Sequence, residues 1–193
     1  LFKDLPINET KAGLGFVINS KDFDLDGSRQ RVSEPDKTRF QLEKAFEGLI
    51  ENLEQYNIDF DEIYESLLKT NIPETDSFAY IKKPFDEKFK DFFEKHVQTE
   101  DRQYVSSGNV VYFDDEKQHL ISLSDIGINR KWVRKEIKEN NNRHGVSITS
   151  WSFSDILKNC DRTKLEMWLQ KLSALEYKDL FEKIIDITKD KDS

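Results

Sequence analysis

A single cysteine, Cys160, serves the whole 193-residue chain. It excludes an internal disulfide and any multi-cysteine zinc or iron-sulfur site, and fits a reducing, cytoplasmic compartment, the expected location. Long hydrophobic runs are also missing. None approaches the roughly 18 to 20 apolar residues that span a bilayer, and no basic, apolar, small-residue leader opens the chain. Neither a membrane span nor a signal peptide is expected. The only methionine is Met167, so the chain does not start at an initiator and reads as an excised domain or processed fragment. Seven glycines and four prolines are too few for a collagenous or low-complexity chain. Basic charge is in deficit: 30 Lys and Arg face 38 Asp and Glu, and the net charge of -8 repels a phosphate backbone. What remains, 36% apolar and 12% aromatic residues, is enough for one core or two small ones.

The apolar pattern then divides the chain. Leu14 to Asn19 (LGFVIN), between Gly13 and the polar turn Ser20 to Gly27, reads as a strand buried on both faces. From Pro35 to Leu53 the residues Leu42, Phe46, Leu49, Ile50 and Leu53 recur at helical spacing, and Pro35 and Asp36 suit a first turn. A second strand is expected near Leu53 to Ile58. Phe60, Ile63, Tyr64, Leu67 and Leu68 mark a short amphipathic helix ended by Pro73. Asp76 to Ile81 (DSFAYI) reads as a strand, and after Pro84 a helix carries Phe85, Phe89, Phe92, Phe93 and His96 on one face. Asn109 to Leu123 reads as a hairpin, VVYF and HLISL flanking the turn Asp114 to Gln118. Ser124 or Asp125 is expected to cap a helix with Ile126, Trp132, Val133 and Ile137 that dissolves at Asn140, Asn141 and Asn142. Val146 to Trp151 is β-prone. Ser154 to Thr188 reads as two helices, the last carrying Tyr177, Leu180, Phe181, Ile184, Ile185 and Thr188 on one face. Strands alternating with helices predict an α/β fold with a largely parallel sheet.

The order of these segments resembles the start of the caspase catalytic domain. Leu5 and Ile7 precede GLGFVINSKDF (Gly13 to Phe23). There follow SRQR (Ser28 to Arg31), Asp36, the helix marked by Leu42, Phe46 and Leu49, the DEIYESL helix (Asp61 to Leu67), and DSF (Asp76 to Phe78). SGNVVYFDDEKQHLISLSDI (Ser107 to Ile126) is similar to the glycine-led hairpin after the family's catalytic histidine. The resemblance covers about the first 130 residues. It implies one caspase-like domain over 1-193, a three-layer sandwich with a mostly parallel central sheet, in which 1-130 is large-subunit-like and 131-193 is a divergent helical C-terminal region.

The chain departs from the family where the chemistry should be. DSFAYI runs into Lys82, Lys83 and Pro84 rather than a Ser-His-Gly turn. The family's Gln-Ala-Cys-x-Gly turn is approached only by ILKNCDRTKLE (Ile156 to Glu166), which holds Cys160 but lacks the glycine whose backbone N-H would face an oxyanion. A second placement sets SWSFSDIL (Ser150 to Leu157) on the Gly-Ser-Trp helix start of the small subunit and LEYKDLFEKIIDIT (Leu175 to Thr188) on the helix after it. Both placements stay open. The implied function is that of a catalytically deficient homologue. It would regulate by binding an active caspase or adaptor, or by homodimerising, in cell-death or innate-immune signalling.

Several residues carry alternatives. A cysteine protease needs a base near its thiol, and the candidates are Cys160 with His144, His119 or His96. His144 forms the only His-Gly dipeptide; His96 reads as a packed edge residue and His119 as a strand residue. Arg31, or Arg29, stands where the family's carboxylate-binding arginine would be, followed by Val32 and Ser33 instead of glycine and threonine. Asp22, Asp24 and Asp26 are followed by Gly27 but lack the twelfth-position Glu of a calcium loop, where Ser33 stands, and read as an acidic turn, so no metal or cofactor is implied. Arg130, Lys131, Arg134, Lys135 and Lys138, with Arg143 beyond and Trp132 interleaved, make a basic stretch that a nucleic-acid reader would need. The competing reading is a solvated helix face, and the acidic balance favours it. WLQKLSALEYKDLF (Trp168 to Phe181) resembles the opening of a SAM domain, but too little chain follows to complete that fold.

Overall fold

A computed structural model describes residues 35-56, 60-75, 79-113 and 122-189. The strand expected at Leu14 to Asn19, the acidic turn Asp22 to Asp26, Arg29, Arg31, Asp76 to Phe78, the turn Asp114 to Gln118 and His119 lie outside the described residues. The chain divides into two compact units. Of the described residues, one unit takes those up to His96 together with Asn140–Val146, and the other takes the rest.

The first unit is helical. α1 (Pro35–Tyr56), α2 (Phe60–Leu68) and α3 (Ala79–Lys95) bring their apolar stripes together. Phe46 of α1 meets Phe85 and Phe89 of α3 at ring-centroid distances of 5.6 and 5.4 Å, edge to face, and Tyr64 of α2 meets Phe93 at 5.9 Å. Such offset and T-shaped contacts place positive ring edges on negative faces and add to the burial of large apolar areas. Phe46, Tyr64, Phe89 and Phe93 are fully buried. Ion pairs Arg39-Glu87 (3.7 Å), Glu47-Lys88 (2.7 Å) and Glu54-Lys95 (4.0 Å) advance together along α1 and α3, so these helices run in the same direction.

The second unit mixes short strands with helices. β1 (Val97–Gln98) and β2 (Tyr104–Val105) form an antiparallel hairpin. β3 (Val110–Val111) lies parallel to β4 (Lys131–Trp132), pairing Val110 with Lys131 and Val111 with Trp132. Tyr112 continues β3 and makes a parallel bridge to Ser150 through Tyr112 N-H to the Thr149 carbonyl (2.9 Å) and Trp151 N-H to the Tyr112 carbonyl (2.8 Å). α4 (Lys135–Arg143) follows, its last residues belonging to the first unit. α5 (Phe153–Asn159), α6 (Arg162–Leu169) and α7 (Ala174–Lys189) complete the chain as described. The core gathers Val111, Ile126, Trp132, Phe153, Ile156 and Trp168 with their neighbours.

Helix and strand are mixed, as the α/β expectation requires. Among the described residues, however, the strands make two separate two-stranded sheets and no single central sheet. Several local expectations are corrected. α1 runs through to Tyr56, which removes the strand near Leu53. Residues 79-81 are helical because α3 starts before Pro84; the ring sits in the second turn, where a missing N-H costs one bond. VVYF pairs in parallel with 131-132 and, at Tyr112, with Ser150, while most of the HLISL arm expected to pair with it, residues 119-121, lies outside the described residues. Trp132 lies in a strand, not on a helix begun at Ser124, and α4 continues through Asn140, Asn141 and Asn142. The C-terminal stretch is three helices, not two. Caps mark the boundaries: reciprocal pairs of Ser152 with Asp155 at α5 and Ser173 with Glu176 at α7, and at α6 the Asp161 carboxylate accepting from Lys164 N-H.

Two glycines test opposite consequences of a missing Cβ. Gly127 has φ +82°, and a Cβ there would stand 2.8 Å from the Asp161 Cβ, whereas Gly48 inside α1 has open space. Gly127→Ala is expected to destabilise by more than about 1 kcal/mol and Gly48→Ala to stabilise by about 0.5 to 1 kcal/mol. Phe46→Ala and Phe89→Ala should each cost about 3 to 5 kcal/mol. Urea unfolding of the four variants checks all of this, and a loss under about 1 kcal/mol at either phenylalanine would contradict the packing described.

Candidate functional site

His144 is the C-cap of α4. The helix ends because Gly145 takes φ +76°, and the Val146 and Gly145 N-H groups bond back to the carbonyls of Asn141 (3.0 Å) and Asn142 (3.0 Å). That is a Schellman closure, with glycine where a side chain would be strained. The closure directs the imidazole into the aromatic core of the first unit. It stacks on Phe93 with centroids 4.8 Å apart, lies 5.7 Å from Phe85, and its Nε2 is 3.0 Å from the Leu68 carbonyl oxygen. A carbonyl only accepts, so Nε2 carries the proton and donates. Burial pushes the imidazole pKa below its ordinary value, the Leu68 carbonyl and Asp86 oppose the shift, and Arg143 and Lys82 reinforce it.

Cys160 is the C-cap of α5 in the second unit. Its N-H bonds to the Ile156 carbonyl and its Sγ donates to the Leu157 carbonyl at 3.2 Å, while the half-buried side chain packs on the core of that unit. The thiol's hydrogen-bond partner is thus a backbone carbonyl, where a nucleophile needs a base. His96 closes α3: its Nδ1 is 2.9 Å from the Phe92 carbonyl and its ring lies on Phe92 and Phe60, as expected for a packed edge residue.

The basic stretch is not one helical face. Arg130 precedes β4, Lys131 is in it, Arg134 follows it, and only Lys135 and Lys138 are in α4. Four of the five have partners. Arg130 lies over the Trp151 ring at 5.1 Å and Lys138 over the Tyr112 ring at 4.4 Å, both cation-π contacts. Lys131 Nζ donates to Asp101 Oδ2 (2.7 Å) and Gln103 Oε1 (2.5 Å), and Arg134 reaches Gln98 Oε1 at 3.5 Å. Lys135 is exposed.

Beside this stretch the second unit has a cleft of about 410 Å³. One part of its lining is the β1-β2 hairpin turn, with Glu100 and Asp101; another is the segment entering β4, with Asn129, Arg130, Lys131 and Trp132. The turn is held rigidly. The Thr99 hydroxyl bonds to Asp101 and accepts from Gln103 N-H (3.0 Å), Glu100 N-H donates to the Trp132 carbonyl (3.0 Å), and Arg102 sits at φ +58°, a left-handed conformation uncommon outside glycine. The Lys131 ammonium, then Thr99, hold the Asp101 carboxyl below the usual carboxylate range. Asp101, Gln103 and Trp151 were not among the expected site residues. Thr-x-Asp turn chemistry between Val97-Gln98 and Tyr104-Val105 is the signal that marks the hairpin.

Comparison of the chain with protein-family models, curated proteins and solved structures finds no match. No helix of the described residues is long and apolar enough to cross a membrane. No group of His, Cys, Asp or Glu among them is placed to hold a metal ion.

The buried imidazole makes stability depend on pH with a definite sign. Its folded pKa lies below the ordinary 6.5, so the unfolded chain takes the proton first as pH falls. His144 therefore contributes nothing unfavourable above about pH 6.5 and destabilises progressively from there down to its lowered folded value. Denaturant midpoints at about pH 7.5 and about pH 5.5 should differ more for the wild type than for His144→Gln, which keeps a donor for Leu68. Equal pH dependence in both would remove the buried, neutral imidazole.

Proposed function

We propose that the chain is a catalytically deficient caspase homologue that acts by binding, as a regulatory partner of an active caspase or adaptor in cell-death or innate-immune signalling. The observation that carries the binding reading is apolar exposure. Of six large hydrophobic side chains exposed among the described residues, five (Leu157, Met167, Leu175, Tyr177 and Phe181) fall in the C-terminal helical stretch, each with 44 to 71% of its surface open. Tyr177 and Phe181, one turn apart on α7, stack with centroids 6.4 Å apart. Exposed apolar side chains mark an interaction surface where they are contiguous, as the stacked Tyr177 and Phe181 are.

The caspase assignment rests on the resemblance between Leu5 and Ile126. The three-layer sandwich is part of the same proposal, and β3 supports it by having parallel neighbours on both sides, β4 and the 149-151 segment. Catalytic deficiency is supported by the bonding of Cys160 to a carbonyl and of His144 to another within an aromatic core. The nucleic-acid reading has less behind it, because Lys131 is neutralised by Asp101 and the basic residues are spread over loop, strand and helix.

Titrating the purified chain into an active caspase that cleaves an aspartyl peptide should change the rate saturably. Tyr177→Glu combined with Phe181→Glu should weaken that effect about tenfold or more, with the thermal melt unchanged. A wild-type chain that leaves the rate untouched overturns the regulatory reading. Peptide cleavage by the chain alone, lost in Cys160→Ala, would establish a cysteine endopeptidase instead. Submicromolar, salt-sensitive binding to DNA or RNA, lost when Lys131 and Lys135 become Glu, would establish the nucleic-acid reading.

A further inference from the structure

In the second unit β3 lies between β4 and residues 149-151, which makes that segment an outer edge. Tyr112 N-H donates to the Thr149 carbonyl and the Tyr112 carbonyl accepts from Trp151 N-H, so Ser150 is the residue directly opposite Tyr112. Peptide groups alternate in direction along an extended chain. Since Thr149 and Trp151 turn theirs toward β3, the N-H and C=O of Ser150 point the other way. Residues 147-149 keep the same two-residue alternation, with Ser147 and Thr149 exposed and Ile148 4% exposed, and this turns the Ile148 peptide groups outward as well. Among the described residues no hydrogen bond reaches the N-H or C=O of Ile148 or Ser150. Another extended chain completes such an edge, because a strand offers donors and acceptors at the matching repeat.

The side chains beside the edge say which strand fits. Residues paired across strands point to the same face, so Tyr112 shares a face with Ser150, and Trp151 takes the opposite one. On the first face Lys138 of α4 holds its Nζ 4.4 Å from the centre of the Tyr112 ring. A ring orders a cation without cancelling its charge, and among the described residues Lys138 has no ion-pair partner. Ser150 is small, so a side chain opposite it on an added strand reaches Tyr112 and Lys138 across it. On the second face the Trp151 ring is half-buried and suits an apolar neighbour. The net charge of -8 opposes an acidic ligand at long range, but physiological salt screens that field beyond about 8 Å and leaves the local cation to decide. We propose that residues 147-151 bind an extended segment of another protein by strand addition. Its backbone bonds to Ile148 and Ser150, and acidic side chains facing Lys138 alternate with apolar ones beside Trp151. Strand addition here does not involve α7, so it and the regulatory reading stand or fall separately.

The test is an NMR titration of the chain with acetyl-Thr-Glu-Val-Glu-Val-Glu-Thr-amide, followed at the backbone amides of Ile148 and Ser150. Comparison peptides carry Gln in place of Glu, N-methyl groups on the Glu nitrogens, or N-methyl groups on the Val nitrogens. The parent peptide should saturate with its largest shifts at those two amides. One methylated form should bind about tenfold or more weakly: the Glu-methylated form if the strand adds antiparallel, the Val-methylated form if it adds parallel. The Gln peptide should bind about threefold or more weakly than the parent, and Lys138→Gln should bind the two alike. Ser150→Pro removes an outward N-H and keeps both bonds to Tyr112, so with its remaining spectrum unchanged it should weaken every peptide. No saturation by about 5 mM, parent-like binding of both methylated forms, a preference for Glu that persists in Lys138→Gln, or largest shifts on α7 would overturn the proposal. A dimer that protects the same two amides without peptide would assign the edge to a second copy and overturn it too.

Discussion

The docking of His144 into the aromatic core is the contact on which the first unit and the reading of its chemistry both depend. A segment distant in sequence, Asn140–Val146, joins α1, α2 and α3 in one compact unit. Its link to them is an imidazole stacked on Phe93 and donating to the Leu68 carbonyl. The Gly145 closure makes this possible by ending α4 with its last carbonyls satisfied, which leaves the C-cap side chain to turn inward. The same burial withdraws the histidine from acid-base work. A general base must reach the proton it abstracts, and here one nitrogen donates to a main-chain carbonyl inside a wall of phenylalanine.

How far the fold was legible follows from which forces are local. α1 and α2 are read from apolar spacing alone, because a 3.6-residue stripe survives any change in what it packs against. The α3 stripe is legible too, and Phe85, Phe89, Phe92 and Phe93 are all buried. Strands fared worse. DSFAYI has strand-like composition, yet its last three residues join α3, since one further helical turn buries Ile81. The parallel partners of β3 lie some 20 and 40 residues downstream, and no local pattern specifies a partner at such distances. The three C-terminal helices were legible in principle: Ser152 and Asp155, and Ser173 and Glu176, have the S-x-x-D/E spacing of a capping box.

The site was legible by residue type and obscure by geometry. Cys160 and His144 can be picked out because only one cysteine and three histidines exist. Whether a thiol meets a base or a carbonyl is decided by the chain fold around it. The basic run shows the reverse error. Five cations within nine residues read as one face only if all lie on one helix, and β4 interrupts them at Lys131. Its carboxylate partner, Asp101, is 30 residues away, in a hairpin whose two-residue strands are too short to register as alternation.

The two units handle their apolar residues differently, and that difference bears on what each can do. In the first, α1 to α3 leave Phe40 as the one large hydrophobic side chain exposed among the described residues, because their apolar stripes pack on one another. In the second, α5 to α7 bury Ile156, Phe153 and Trp168 yet leave Leu157, Met167, Leu175, Tyr177 and Phe181 open. Helices that expose apolar side chains to water do so at a cost in hydration, offset when another surface covers them. The cleft of the same unit is lined by residues from Glu100 to Trp132, and none of the five exposed apolar side chains belongs to that lining. A substitution at Tyr177 or Phe181 therefore changes the exposed apolar face while leaving every residue of the cleft lining in place.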